Sequence, residues 1–121
     1  MSGGSDPSRL TLAIEQRASS RLVGLTTLTR IDRRSGTAYF GVVIGEKDCW
    51  GHGLASETLR LILHQAGELK LRKVLLEVAV DNPRAIALYR RLGFKAEGVL
   101  RRQLPRGPEF VDVMVMAVFL S

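Results

Sequence analysis

The spacing of apolar residues changes along this chain, and the change decides which folds are open to it. Leu10–Gln16 alternates apolar and polar residues with period two, the pattern of a strand with one buried face. After the short Arg17-Ala-Ser-Ser20 turn, Arg21–Asp32 is rich in Val, Leu, Thr and Ile. The Arg33-Arg-Ser-Gly36 turn then leads into Thr37–Ile44, whose Tyr, Phe, Val and Ile suit a central strand. From Leu54 the period lengthens: Ala55, Leu59, Ile62, Leu63, Ala66 and Leu69 fall on one face of a helix, with Glu57, Arg60, His64 and Glu68 elsewhere. Val74–Val80 returns to strand character. The middle of the chain therefore predicts a strand–helix–strand crossover, which joins parallel strands and is almost always right-handed.

Asn82-Pro83 offers a preferred N-cap followed by proline at the first helical position, where its missing N–H costs nothing. The helix from Pro83 to Leu92 stops at Gly93, the usual left-handed residue after a helix, with Phe94 placed for the accompanying apolar contact. Phe94–Gln103 and Phe110–Leu120 predict two further strands, joined by a Leu104-Pro-Arg-Gly-Pro108 loop. The order is β-β-β-α-β-α-β-β. The expected fold class is α/β (α+β): a single mixed, largely antiparallel central sheet with helices on its faces.

At 121 residues there is room for one domain, taken as residues 10–121 after a flexible lead-in of residues 1–9. The lead-in lacks the basic, apolar and cleavage regions of a signal peptide, and no apolar run reaches the ~18 residues of a membrane span, so a cytoplasmic protein without membrane contact is expected. Cys49 has no second cysteine to pair with, and His52 and His64 stand apart from any ligand cluster, so no metal is expected. Eighteen Lys and Arg against twelve Asp and Glu give a net charge of +6, which attracts anions. Phosphates of a nucleotide cofactor, RNA and an acidic protein all answer that description; nucleic acid is not expected as the main partner.

The segment Asp48-Cys-Trp-Gly-His-Gly-Leu-Ala-Ser-Glu57 sets two glycines between the end of a strand and the start of a helix. Such a turn presents successive backbone N–H groups and the positive end of a helix dipole to an anion such as a pyrophosphate. Strand-to-helix turns also need glycine for purely structural reasons. Neither the P-loop Gly-Lys-Ser/Thr nor the third glycine of the dinucleotide fingerprint is present. The motif instead resembles the cofactor turn of the GNAT superfamily of acetyl-CoA-dependent N-acetyltransferases, Gln/Arg-x-x-Gly-x-Gly/Ala, read as Trp50-Gly51-His52-Gly53-Leu54-Ala55. Trp50 departs from the usual Gln or Arg and is similar to the ribosomal-protein and spermidine N-acetyltransferase branch.

Leu76-Glu-Val-Ala-Val-Asp-Asn-Pro-Arg-Ala-Ile-Ala-Leu-Tyr-Arg-Arg-Leu-Gly-Phe94 is similar to the second GNAT motif at nearly every position. The resemblance runs from about Leu10 to the C-terminus. It implies the GNAT fold and transfer of the acetyl group of acetyl-CoA to a primary amine in a ternary complex. Attack on a thioester needs a neutral amine, a stabilised oxyanion and a proton for the departing thiolate. By resemblance Tyr89 is the general acid, and Glu77, twelve positions earlier, matches the glutamate proposed as base. A core tyrosine and a solvated strand carboxylate are the plain alternatives.

The same resemblance assigns acetyl-CoA to Val42, Val43 and Ile44 through backbone groups, to Trp50, Gly51, His52, Gly53, Leu54, Ala55 and Ser56 at the turn, and to Asn82, Ala85 and Tyr89. Arg90 and Arg91 face either the phosphates or solvent. The chain enters the GNAT pattern at its second strand, without the strand and helices that form much of the acceptor site. Leu10–Gln16 is then an unprotected edge, which implies a homodimer. An alternative function is an acetyl-CoA sensor or assembly module with weak turnover. The acceptor is left open between a protein N-terminus, ribosomal proteins included, a polyamine and another small amine.

Overall fold

The computed structural model describes residues 7–16, 21–44 and 54–120. These form β1 (Leu10–Gln16), β2 (Arg21–Asp32), β3 (Thr37–Ile44), α1 (Leu54–Glu68), β4 (Lys73–Ala79), α2 (Pro83–Arg91), β5 (Lys95–Arg106) and β6 (Glu109–Phe119). The order is the one the sequence predicts. The chain divides into two compact units, Met1–Val74 with Leu120–Ser121, and Leu75–Phe119.

In the first unit β1 runs antiparallel to β2, with Leu10 opposite Leu28, and β2 antiparallel to β3, with Leu28 opposite Phe40. Among the described residues β1 has no second strand partner. Period-two and period-3.6 patterning meet in the core: Ile14, Leu28 and Ala38 from the strands are buried, as are Leu59, Ile62 and Ala66 from α1, which lies against β2. Thr26, also buried, satisfies its hydroxyl by donating to the Gly41 carbonyl at 3.2 Å.

The β2–β3 turn is locked from within. One Asp32 carboxylate oxygen accepts the N–H groups of Arg34 (3.0 Å) and Ser35 (3.2 Å), and the other accepts the Ser35 hydroxyl at 3.0 Å. These bonds hold the Asp32 carboxyl below its ordinary pKa, the Ser35 N–H contributing most. Gly36 follows at φ +72, and its carbonyl accepts the N–H groups of Arg72 (2.8 Å) and Lys73 (3.1 Å). A Cβ there would stand 3.0 Å from Arg72 Cγ, so both the backbone angle and the room require glycine.

Two features of this unit escape the sequence patterns. Arg30 takes φ +52 in a bulge, where Arg30 and Ile31 together oppose Ala38, and its guanidinium stacks 4.6 Å over the Tyr39 ring. At the end of α1, Lys70 rather than glycine takes the left-handed position (φ +65). The Lys70 N–H bonds the Gly67 carbonyl at 2.9 Å and the Leu71 N–H bonds the Ala66 carbonyl at 3.1 Å, a complete Schellman motif with Leu71 buried beneath it.

In the second unit β5 and β6 form a long antiparallel hairpin, and Leu76, Val78, Phe94, Val113, Met116 and Ala117 are buried. The predicted loop from Leu104 to Pro108 is here a correction. Strand pairing continues to Arg106 opposite Glu109, leaving a two-residue turn, Gly107-Pro108. Gly107 has φ +61, as primed hairpin turns require at the first position, and the ring of Pro108 fixes its own φ near −65°, which selects type II′. Pro105 is tolerated because β5 pairs only with β6 among the described strands and needs no second set of N–H bonds. Further along, Arg101, Arg102 and Gln103 oppose Asp112 alone. Arg102 takes φ +50 there, and its N–H is held by the Asp112 carboxylate at 2.8 Å.

Candidate active site

The motif that begins at Leu76 builds its site from β4 and α2. Val74, Leu76 and Val78 turn to the buried face of β4, and Glu77 to the opposite face with its side chain exposed. Asn82 caps α2, its side-chain oxygen accepting the Ala85 N–H at 3.2 Å, and Pro83 occupies the first turn as predicted. Asn82 and Ala85 are thus already partners of each other at the opening of this helix. Arg90 and Arg91 are exposed in the last turn, where their charge complements the negative end of the dipole.

The far end of α2 fixes Tyr89. Gly93, at φ +99, sends its N–H to the Arg90 carbonyl at 3.1 Å, and the Phe94 N–H reaches the Tyr89 carbonyl at 3.0 Å. These are the two bonds of a Schellman motif, and the apolar contact that accompanies it is made by the Tyr89 and Phe94 rings themselves, centroids 5.9 Å apart and planes tilted by 58°. Phe94 is 1% exposed, so Tyr89 leans on a side chain packed into the core. Half-burial pushes the Tyr89 phenol above its usual pKa, so at neutral pH it carries its proton.

Two side chains that periodicity did not single out support this region. Arg106, at the tip of the β5–β6 hairpin, makes a bidentate pair with Asp81 (3.1 and 3.0 Å), the residue immediately before the helix cap. Asp112 holds the bulge in β5 through its carboxylate and accepts the Val80 N–H on its backbone carbonyl at 3.0 Å. Partners this far apart along a chain leave no trace in local spacing.

In the first unit, Val42, Val43 and Ile44 pair with Thr26, Leu25 and Gly24 of β2. Alternate residues of an antiparallel strand aim both backbone groups at the same side, so part of this segment directs its N–H and C=O groups away from β2. The Gly41 carbonyl is not free, since the Thr26 hydroxyl already occupies it. Leu54 opens α1, Ala55 follows, and Ser56 is half-buried in the first turn, where helix geometry leaves backbone N–H groups without intrahelical partners. Trp50, Gly51, His52 and Gly53 lie outside the described residues, as does Cys49. His64 is exposed on α1. No helix among the described residues is long and apolar enough to cross a membrane.

The chain is 34% identical over 87 residues to the L-amino acid N-acetyltransferase AaaT of Escherichia coli, covering 70% of this chain and 52% of that one. It is 31% identical over 109 residues to the spermidine N(1)-acetyltransferase of Vibrio cholerae, covering 89% of this chain and 62% of that one. It thus spans roughly half to three-fifths of the length of these curated relatives. The crystal structure of the Vibrio cholerae spermidine N-acetyltransferase in complex with CoA and spermine superposes with a TM-score of 0.85 at 30% identity, over 93% of this chain and 66% of that one. Residues 2–95 match the family described as "Acetyltransferase (GNAT) domain". With both motifs inside that match, the chain belongs to the GNAT acetyltransferase family and has its α+β fold.

Proposed function

We propose that this chain transfers the acetyl group of acetyl-CoA to a primary amine. The observation that carries the reading is Tyr89: a half-buried phenol set against the Phe94 ring at the end of α2, inside the segment similar to the second GNAT motif, and protonated at neutral pH as any phenol is. In the proposed reaction the amine lone pair attacks the thioester carbon, the C–S bond breaks, and the thiolate takes the proton of Tyr89. The proton shed by the amine goes to water or to the exposed carboxylate of Glu77.

Acetyl-CoA serves as cosubstrate, and the resemblance assigns its pyrophosphate to backbone N–H groups at Trp50–Ser56 and its pantetheine arm to Val42–Ile44; the same resemblance assigns Asn82 and Ala85 to the cofactor. The acceptor class is a small primary amine or a protein N-terminus, ribosomal proteins among them. The names of the relatives, which act on spermidine and on L-amino acids, support an amine. A cytoplasmic homodimer completes the reading, supported by the single-sided pairing of β1 among the described residues.

The test is thiol release from acetyl-CoA against a panel of polyamines, amino acids and peptides with free N-termini. Amine-dependent release is expected, with Tyr89→Phe lowering kcat by roughly 10²- to 10⁴-fold, far more than it weakens acetyl-CoA binding. Saturable acetyl-CoA binding without release with any amine would mark a sensor instead. Wild-type rates in Tyr89→Phe would remove the phenol from the mechanism.

A further inference from the structure

The net charge of +6 is not spread evenly. Residues 30–36 and 68–73 together hold Arg30, Arg33, Arg34, Lys70, Arg72 and Lys73 against Asp32 and Glu68, a net +4 in two short segments. They lie apart in sequence, and the fold binds one to the other. The Gly36 carbonyl accepts the N–H groups of Arg72 and Lys73, and Arg72 Nε donates to the Ser35 carbonyl at 2.7 Å. That last bond uses the inner nitrogen of the guanidinium and leaves the two terminal ones for an anion. Arg30, Arg33, Arg34, Lys70 and Arg72 are all exposed.

The surface is also pre-arranged. Asp32 spends its carboxylate on the turn's own N–H and hydroxyl groups, so it stiffens the loop rather than pairing with the arginines. Arg30 is held in place by its left-handed backbone and by the Tyr39 ring. None of the exposed large hydrophobic side chains lies in either segment. A protein interface usually centres on apolar and aromatic anchors, and a membrane-seeking surface carries apolar residues to insert. A fork of guanidiniums without either matches a chain of phosphates.

We propose that the β2–β3 turn and the α1–β4 connection together form a surface for a nucleic-acid backbone, read through its phosphates and without sequence preference. This goes beyond acetyl transfer and does not depend on it. If four phosphates of a single strand are neutralised, log K falls with log salt with a slope of about −2.8, a loss of roughly 50-fold in affinity between 50 and 200 mM.

Fluorescence anisotropy of a labelled 20-nucleotide single-stranded RNA, titrated with the full chain across that salt range, tests the idea. Saturable binding with such a slope is expected, unchanged by saturating CoA. The double variant Arg33→Gln/Arg34→Gln is expected to flatten the slope by about 1.4. Its melting temperature should hold, because neither side chain takes part in the turn's hydrogen bonds. The variant Arg60→Gln/Arg84→Gln removes the same charge from elsewhere and is expected to change binding little. Equal loss in both variants, displacement of the RNA by CoA, absence of binding at 50 mM salt, or preference for phosphatidylserine vesicles over RNA would each overturn the proposal.

Discussion

Replacing Gly93 by alanine tests how α2 is ended and, through it, how Tyr89 is held. The backbone at Gly93 has φ +99, and a non-glycine residue on the left-handed side costs about 1–2 kcal/mol. The new methyl group adds no clash, since its nearest neighbour would be Val118 Cγ2 at an ordinary 3.5 Å. Alanine restricts the unfolded chain more than glycine and returns part of the loss, but at an incompatible φ the strain outweighs that gain. The net destabilisation is therefore about 1 kcal/mol. For a chain of this size that lowers Tm by roughly 3–6 °C. Thermal unfolding of the two proteins at neutral pH measures it directly. If the backbone instead shifts to relieve the strain, the bonds from Gly93 and Phe94 to the Arg90 and Tyr89 carbonyls open and the ring of Tyr89 loses its brace, so thiol release should fall along with Tm. A Tm equal to or above wild type would refute the claim that this helix depends on a left-handed residue at its end.

Lys70 occupies the same place after α1 with φ +65, so Lys70→Gly relieves strain where Gly93→Ala creates it; set against the entropy of the added glycine and the lost charge at the helix end, a gain of a few tenths to about 1 kcal/mol is expected in urea denaturation. Asp32 has a folded pKa held below its unfolded value of about 3.9, so the stability it adds is present above that pH and disappears as pH falls through the lower folded value. Asp32→Asn should accordingly differ from wild type at pH 7 and converge with it in strong acid; a gap that widens on acidification would contradict this assignment.

The parts legible in the sequence are those whose physics is local. Asn82-Pro83 and Gly93-Phe94 bracket α2 because capping depends on residues within one helical turn. The period change at Leu54 marks α1 for the same reason, and Leu59, Ile62 and Ala66 are buried as their spacing implies. Tyr89 and Glu77 stand out in the sequence because both lie inside a long motif of fixed spacing, which makes them candidates for the chemistry.

What the sequence hid depends on the partner strand or on the third dimension. Pro105 looks like a loop residue until one knows that β5 has a single strand neighbour. Lys70, Arg30 and Arg102 carry no composition that announces a positive φ; each is held there by its surroundings. The pairing of Arg106 with Asp81, and the seating of Arg72 on the Ser35 carbonyl, join positions 25 and 37 residues apart. No window of ordinary length contains both ends.

The interruptions in β5 have a wider meaning for how the protein behaves in a crowded solution. An exposed twelve-residue strand with Val99, Leu100 and Leu104 open to water ought to recruit like chains and seed fibres. The misfit at Arg101–Gln103 and the missing donor at Pro105 break its outer rim into stretches too short to zip against a newcomer. Resistance to edge-to-edge association is the expected consequence, and straightening the strand by removing these irregularities should make the protein aggregate more readily.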